Sequence, residues 1–346
     1  MVKKSKGFTL VELLAVIVIL AVILVIAVPQ IMNVITESRK GALASSAKLI
    51  ASSAETAYIS NQTLGIEKDI DCKDISNYTD DDYANCRIKF TDGKAKVTLI
   101  GKGKFEGMAV CSGTKENAEV VDECPVPVSF ANDKWEVILT AIEEENTSNY
   151  HVGDTKTIDL GTLGTHTLRI ANKSSDWECC GVDGYSQSAC GFVIEFADII
   201  KKEAMNTTNT NVGGWPASAM RTYVNETIYK ALVGVIGNAI IDTKVVPSST
   251  STDKLYLLSP EEVYGSADRY DDSNGKSKQL DYYKENITSS DKSSAVKQFN
   301  GTDFIWWLRS SRYVNTGSFF HVNSSGSYNF CEATAEYGVS PAFRLG

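Results

Sequence analysis

The 346-residue chain is 43% hydrophobic and 22% charged, an ordinary balance for a globular protein, and it is long enough for two or three domains with a sizeable core. Its formal net charge of −9 argues against a general polyanion binder, because phosphate contacts need Lys and Arg; direct DNA binding is not expected. The three histidines, His151, His166 and His321, lie far apart in sequence and in no metal or nucleophile motif, so no catalytic residue, metal site or cofactor is expected.

The chain begins with Lys3, Lys4 and Lys6, then Gly7, then a run from Phe8 to Val28 in which only Thr9 and Glu12 are polar. That run has the roughly 20-residue length of a membrane-spanning helix. The lysines would stay on the cytoplasmic side and the rest would be exported. A secretory signal peptide fits poorly, because its apolar core is about 7–15 residues and no small-residue cleavage site follows this run. A carboxylate inside a spanning helix costs about 2.5–3.5 kcal/mol at the centre and less near an end. No Lys or Arg lies between Glu12 and Arg39, so the partner of Glu12 is expected on another chain or at a chain terminus.

The stretch Gly7-Phe8-Thr9-Leu10-Val11-Glu12-Leu13-Leu14 resembles the processing and methylation signature of type IV prepilins and pseudopilins. The resemblance implies that a prepilin peptidase cuts after Gly7 and that Phe8 becomes an N-methylated terminus. It implies that Glu12 offsets the N-terminus of a neighbouring subunit during assembly, and that Pro29 stands where pilins often carry a helix-interrupting proline. Beyond Pro29, Leu43, Ala47, Ile50 and Ala54 continue a helical pattern until Asn61–Gly65, with Gly65 as the stop. Such a helix is roughly 80 Å long at about 1.5 Å per residue.

Next, Arg87–Phe90, an Asp92-Gly93 turn and Ala95–Ile100 read as a β-hairpin. Eight cysteines occur, all from Cys72 onward. In an exported chain disulfides are the default. Cys72 and Cys86 bracket one short loop, and Cys111 and Cys124 another. Of Cys179 and Cys180, one could join Cys190 and the other Cys331; spacing alone leaves the connectivity open. Zinc is disfavoured, since the adjacent pair lacks CxxC spacing. Pro125 and Pro127 give a stiff boundary.

From Ser129 onward Trp135–Leu139 reads as a strand or short helix, and Thr157–Leu160, His166–Ile170 and Phe192–Phe196 as strands. A helix is expected to start at Gly213–Ser218 and run through Val224, a second from Tyr229 toward Ile241, and a strand over Lys254–Ser259. Residues 266–302 read as a long polar surface loop. Within it Asp268, Asp271, Asp272 and Asn274 lack the ligand spacing of a calcium loop. Gly213-Gly214-Trp215, Trp306-Trp307-Leu308-Arg309-Ser310 and Gly338–Leu345 resemble a domain of unknown function on surface proteins of Gram-positive bacteria. The closing motifs are also similar to C-type-lectin-like folds. Arg309 and Phe343-Arg344-Leu345 are expected to lock the core.

The reading is an α+β protein: a leader at 1–7, a transmembrane pilin helix at 8–64, a small disulfide-stapled antiparallel sheet at 65–127, and a larger α+β domain at 128–346. The resemblance implies a non-enzymatic pilin-like subunit, held in the cell membrane with its N-terminus cytoplasmic and then assembled into an extracellular pilus. Its expected partners are other pilin subunits, the prepilin peptidase, the membrane, and a surface or glycan ligand for adhesion. A pseudopilin of a type II-like secretion or DNA-uptake machine, and a membrane-anchored receptor or enzyme, are the other readings.

Overall fold

A computed structural model describes residues 9–66, 69–76, 78–91, 93–176, 179–265, 276–312 and 314–346. It divides into two compact units, Met1–Pro125 and Val126–Gly346. The fold is α+β, with a long N-terminal helix followed by antiparallel sheets.

Helix α1 runs over Leu10–Leu64 without a break at Pro29. Thr9 caps its start. Gly65 ends it in a left-handed conformation (φ 65°), which a glycine adopts without the Cβ clash, and its N–H donates to the Asn61 and Gln62 carbonyls. The two halves of α1 have different surroundings. Every large apolar side chain from Leu10 to Ile35 is exposed. Leu43, Ala47, Ile50, Ala51 and Ala54 are buried, at the three- and four-residue spacing of one helix face. They pack on a four-stranded antiparallel sheet of order β1–β2–β3–β4, with β1 Tyr83–Thr91, β2 Lys94–Gly101, β3 Ala109–Gly113 and β4 Val120–Val121. On β2, Ala95, Val97 and Leu99 alternate inward. Gly93 (φ 76°) lies in the tight turn that the Thr91–Lys94 pair closes.

The second unit opens with α2 (Trp135–Glu143), which resolves the first open assignment as a helix. Strands β5 (Thr155–Asp159), β6 (Thr165–Asn172) and β7 (Phe192–Phe196) follow, then β8 (Lys201–Ala204). Helices α3 (Gly214–Ala217), α4 (Ala219–Tyr223) and α5 (Tyr229–Ile236) come next; a π-turn over Val224–Ile228 joins the last two. Gly237 (φ 80°) ends α5, five residues before the second helix was expected to stop. Then come α6 (Pro260–Tyr264), α7 (Asp281–Asn286), and strands β9 (Lys297–Phe299), β10 (Thr302–Phe304), β11 (Trp306–Ser311), β12 (Ser318–Val322), β13 (Tyr328–Glu332), β14 (Glu336–Val339) and β15 (Ala342–Leu345).

Two sheets enclose the core of this unit. One has the order β13–β12–β11–β14–β8, the other β15–β7–β6–β5. The closing segment contributes to both, because β14 and β15 are separated only by Ser340 and Pro341. Trp306, Trp307, Phe319, Phe320 and Phe343 fill the interior.

Two expectations are corrected. Lys254–Ser259 is extended but is no strand. Its one β-bridge among the described residues is Tyr256–Ala342, and the Leu258 carbonyl accepts from the Arg309 N–H at 2.9 Å. Leu255, Tyr256, Leu257 and Leu258 are all buried, so the strand-like hydrophobicity reflects cover on every side. Residues 276–302 are no surface loop: they hold α7, β9 and a turn of 3₁₀ helix at Ser293–Ala295. Leu280, Tyr283 and Ala295 anchor them in the core, three apolar anchors hidden in a polar sequence. The acidic stretch from Asp268 through Asp271 and Asp272 to Asn274 lies outside the described residues.

Candidate functional site

The bare half of α1 is the first candidate. It is long and apolar enough to cross a membrane. Gly7 and Phe8 lie outside the described residues. Within its own chain Glu12 closes on Thr9: its Oε2 accepts from the Thr9 N–H at 2.9 Å and the Thr9 hydroxyl at 2.8 Å, while the Glu12 N–H donates to Thr9 Oγ1 at 3.3 Å. This reciprocal capping box satisfies backbone donors that have no partner within the helix and places negative charge at the positive end of the dipole. Both accepted bonds end on one oxygen, and the side chain stays exposed. Pro29 sits inside the helix, on the same exposed half.

Further along α1, Glu55 is a carboxylate that the sequence reading missed. It is buried, accepts from the Ala95 N–H at 3.1 Å, and pairs with Lys115 at 2.5 Å. The Lys115 hydrogen bond holds its pKa below the usual carboxylate value, against the opposing effect of burial.

Three disulfides form: Cys72–Cys86, Cys111–Cys124 and Cys180–Cys190. Cys179 and Cys331 are not bridged, which corrects the proposed second link from the adjacent pair. Cys179 is buried in the turn that follows Asp176. The register of β13 seats Cys331 opposite Phe319 in the five-stranded sheet.

The histidines remain apart. His151 is exposed beside Asp154. His166 bonds Asp198 at 3.1 Å and the Leu163 carbonyl at 2.8 Å; burial opposes its charge, but those partners outweigh it and raise the pKa. His321 lies against Trp307 and Tyr337, and burial pushes its pKa down to about 4. Among the described residues no group of three or more His, Cys, Asp and Glu could hold a metal.

Arg309 locks the core. Fully buried, it donates to both oxygens of Glu262 at 2.6 Å and to the Leu257 carbonyl at 2.9 Å. Glu262 also accepts from the hydroxyls of Ser188 and Ser277 and from the Ser259 N–H. A second buried cluster joins Glu195 to Lys297 at 2.7 Å, Arg169 at 2.7 Å and the Tyr283 hydroxyl at 2.8 Å. Burial would raise the Glu195 pKa, but the two cations outweigh it and hold it at about 2. Neither Glu262 nor Lys297 announces itself in the sequence, since each pairs far along the chain.

An open cavity of 520 Å³ lies in the second unit, at Gly213 and Gly214. Three segments wall it. Asn211, nine-tenths buried, donates its amide to the carbonyls of Arg312, Asn315 and Ser318, tying two walls together. The Trp215 indole donates to Asp253 at 2.9 Å, and Asp253 exchanges backbone hydrogen bonds with Thr243, which anchors the segment leading to the third wall, Val246–Ser249.

Residues 2–28 match the prokaryotic N-terminal methylation motif. The chain carries a type IV pilin-like N-terminus. Residues 193–346 match a domain of unknown function, DUF6273. That match begins inside the four-stranded sheet, at β7, so β5 and β6 complete a sheet whose other two strands belong to the matched stretch. No curated protein and no solved structure matches the chain.

Proposed function

We propose that this chain is a structural subunit of a type IV pilin-like fibre that displays its second unit outside the cell. The observation that carries the reading is the bare half of α1. It joins a methylation motif to some twenty-five residues of exposed apolar helix interrupted by one carboxylate near its start. Exposed apolar surface on this scale needs lipid or other helices around it. A membrane serves before assembly, and the helices of neighbouring subunits serve after it. Cleavage after Gly7 would free a positive terminus on Phe8, and the open oxygen of Glu12 would face the terminus of a neighbour. The second unit has no part in chemistry in this reading; its buried charges are spent on the core.

Replacing Gly7 and Glu12 separately tests this. Gly7→Val is expected to retain the leader by mass spectrometry. Glu12→Gln is expected to be processed normally yet to yield no surface fibres by electron microscopy. Normal processing and normal fibres in both variants would defeat the proposal.

A further inference from the structure

We propose that the cavity at Gly213 and Gly214 is a binding site for a neutral saccharide. Its 520 Å³ falls within the roughly 300–1,000 Å³ of small-molecule sites. None of its lining residues among those described carries a formal charge. An ionic ligand would therefore lose its hydration with no counter-charge in return. A purely apolar ligand fits no better. Ser248, Ser249, Ser311 and Thr316 are among its lining residues, and covering the exposed Ser248 and Thr316 with hydrocarbon would cost their hydrogen bonds to water.

A sugar answers both constraints. Each Ser or Thr hydroxyl offers one donor and two acceptor positions, the same repertoire as each hydroxyl of a sugar ring. Val212, Pro216 and Val246 provide an apolar strip for the C–H face of the ring, and Val212 is exposed despite being apolar. The floor is backbone. Gly213 (φ 81°) and Gly214 (φ 58°) are both left-handed, a conformation other residues rarely adopt. A Cβ on Gly214 would stand 3.6 Å from Ser311 Oγ. The walls are held before any ligand arrives by the Asn211 amide and by the Trp215–Asp253 bond, which lowers the ordering cost of binding.

The inference rests on the display reading for its biological setting only. Binding can be measured on the purified full chain in a detergent without sugar headgroups. The probes are maltose, cellobiose and N,N′-diacetylchitobiose, with glucose 6-phosphate and glucosamine as charged comparisons. Saturation-transfer NMR at about 10 mM would fill even a site with a Kd near 1 mM. Transfer to at least one neutral sugar is expected, with weaker transfer to both charged ones. Thr316→Trp and Ser248→Trp, at exposed rim positions, are each expected to weaken binding at least tenfold while leaving the circular-dichroism melt unchanged. The inference is overturned by silence from all three neutral sugars, by preference for a charged probe, or by binding that neither plug reduces. Sugar binding that survives in a fibre-less Glu12→Gln chain would leave this inference standing and the role of the site in a fibre separate. Normal fibres from a chain that binds no sugar would sink this inference alone.

Discussion

Helix α1 places carboxylates in two opposite settings. Glu12 stands on the bare half, and among the described residues both of its donors belong to Thr9. Glu55 stands on the packed half, where the sheet brings it a backbone N–H from β2 and the Lys115 ammonium. Between them lies Glu37, an exposed acid 3.6 Å from Lys40, so only Glu55 of the three on this helix is closed by the fold. Glu262 and Glu195, deep in the second unit, extend the closed kind: each is buried with its cation fixed beside it.

The largest effect should come from breaking a closed pair. Arg309→Met leaves Glu262 buried without its cation, and the second unit should lose roughly 3–5 kcal/mol. All five tryptophans lie beyond Pro125, so intrinsic fluorescence during urea unfolding follows that unit by itself. Glu12→Gln should leave the same curve unmoved. Replacing Cys72 and Cys86 by serine should cost the first unit about 2–4 kcal/mol, read as faster proteolysis between residues 66 and 86. Thr9→Val removes the capping hydroxyl. It should cost about 0.5–2 kcal/mol of local helix stability, confined to hydrogen exchange at the first turn of α1.

Glu55→Gln should show the smallest change, under about 1 kcal/mol, because Lys115 is partly exposed and solvent screens the pair. The pH dependence is more telling. The pKa of Glu55 is lower in the folded chain, so its contribution is present above the unfolded carboxylate value and disappears as pH falls through the folded one. Acidification should therefore weaken the first unit less in Glu55→Gln than in the parent, by melting temperature across the acidic range. An equal loss in both would remove Glu55 from the account.

Much of the first unit was legible in the sequence because its signals are local. The apolar run of α1, the glycine stop at Gly65, the turn at Gly93 and the Cys72–Cys86 and Cys111–Cys124 loops each involve residues close in the chain. The second unit was harder to read. Lys254–Ser259 carried the hydrophobicity of a strand, yet it is cover for the core. The polar run containing Leu280, Tyr283 and Ala295 hid its anchors. Arg309 was legible as a lock, but its partner was not.

By itself, then, the sequence determined the long helix, its bare half and the acid at its head, since helical period, capping and membrane length are set by neighbours within a few turns. The tertiary structure alone decided which acids are closed. Glu55 meets Ala95 across 40 residues, Glu262 meets Arg309 across 47, and Glu195 meets Lys297 across 102. Pairings over such distances follow from sheet register and core packing, which no local pattern encodes. The same packing assembled the neutral cavity from segments around residues 211, 246 and 316.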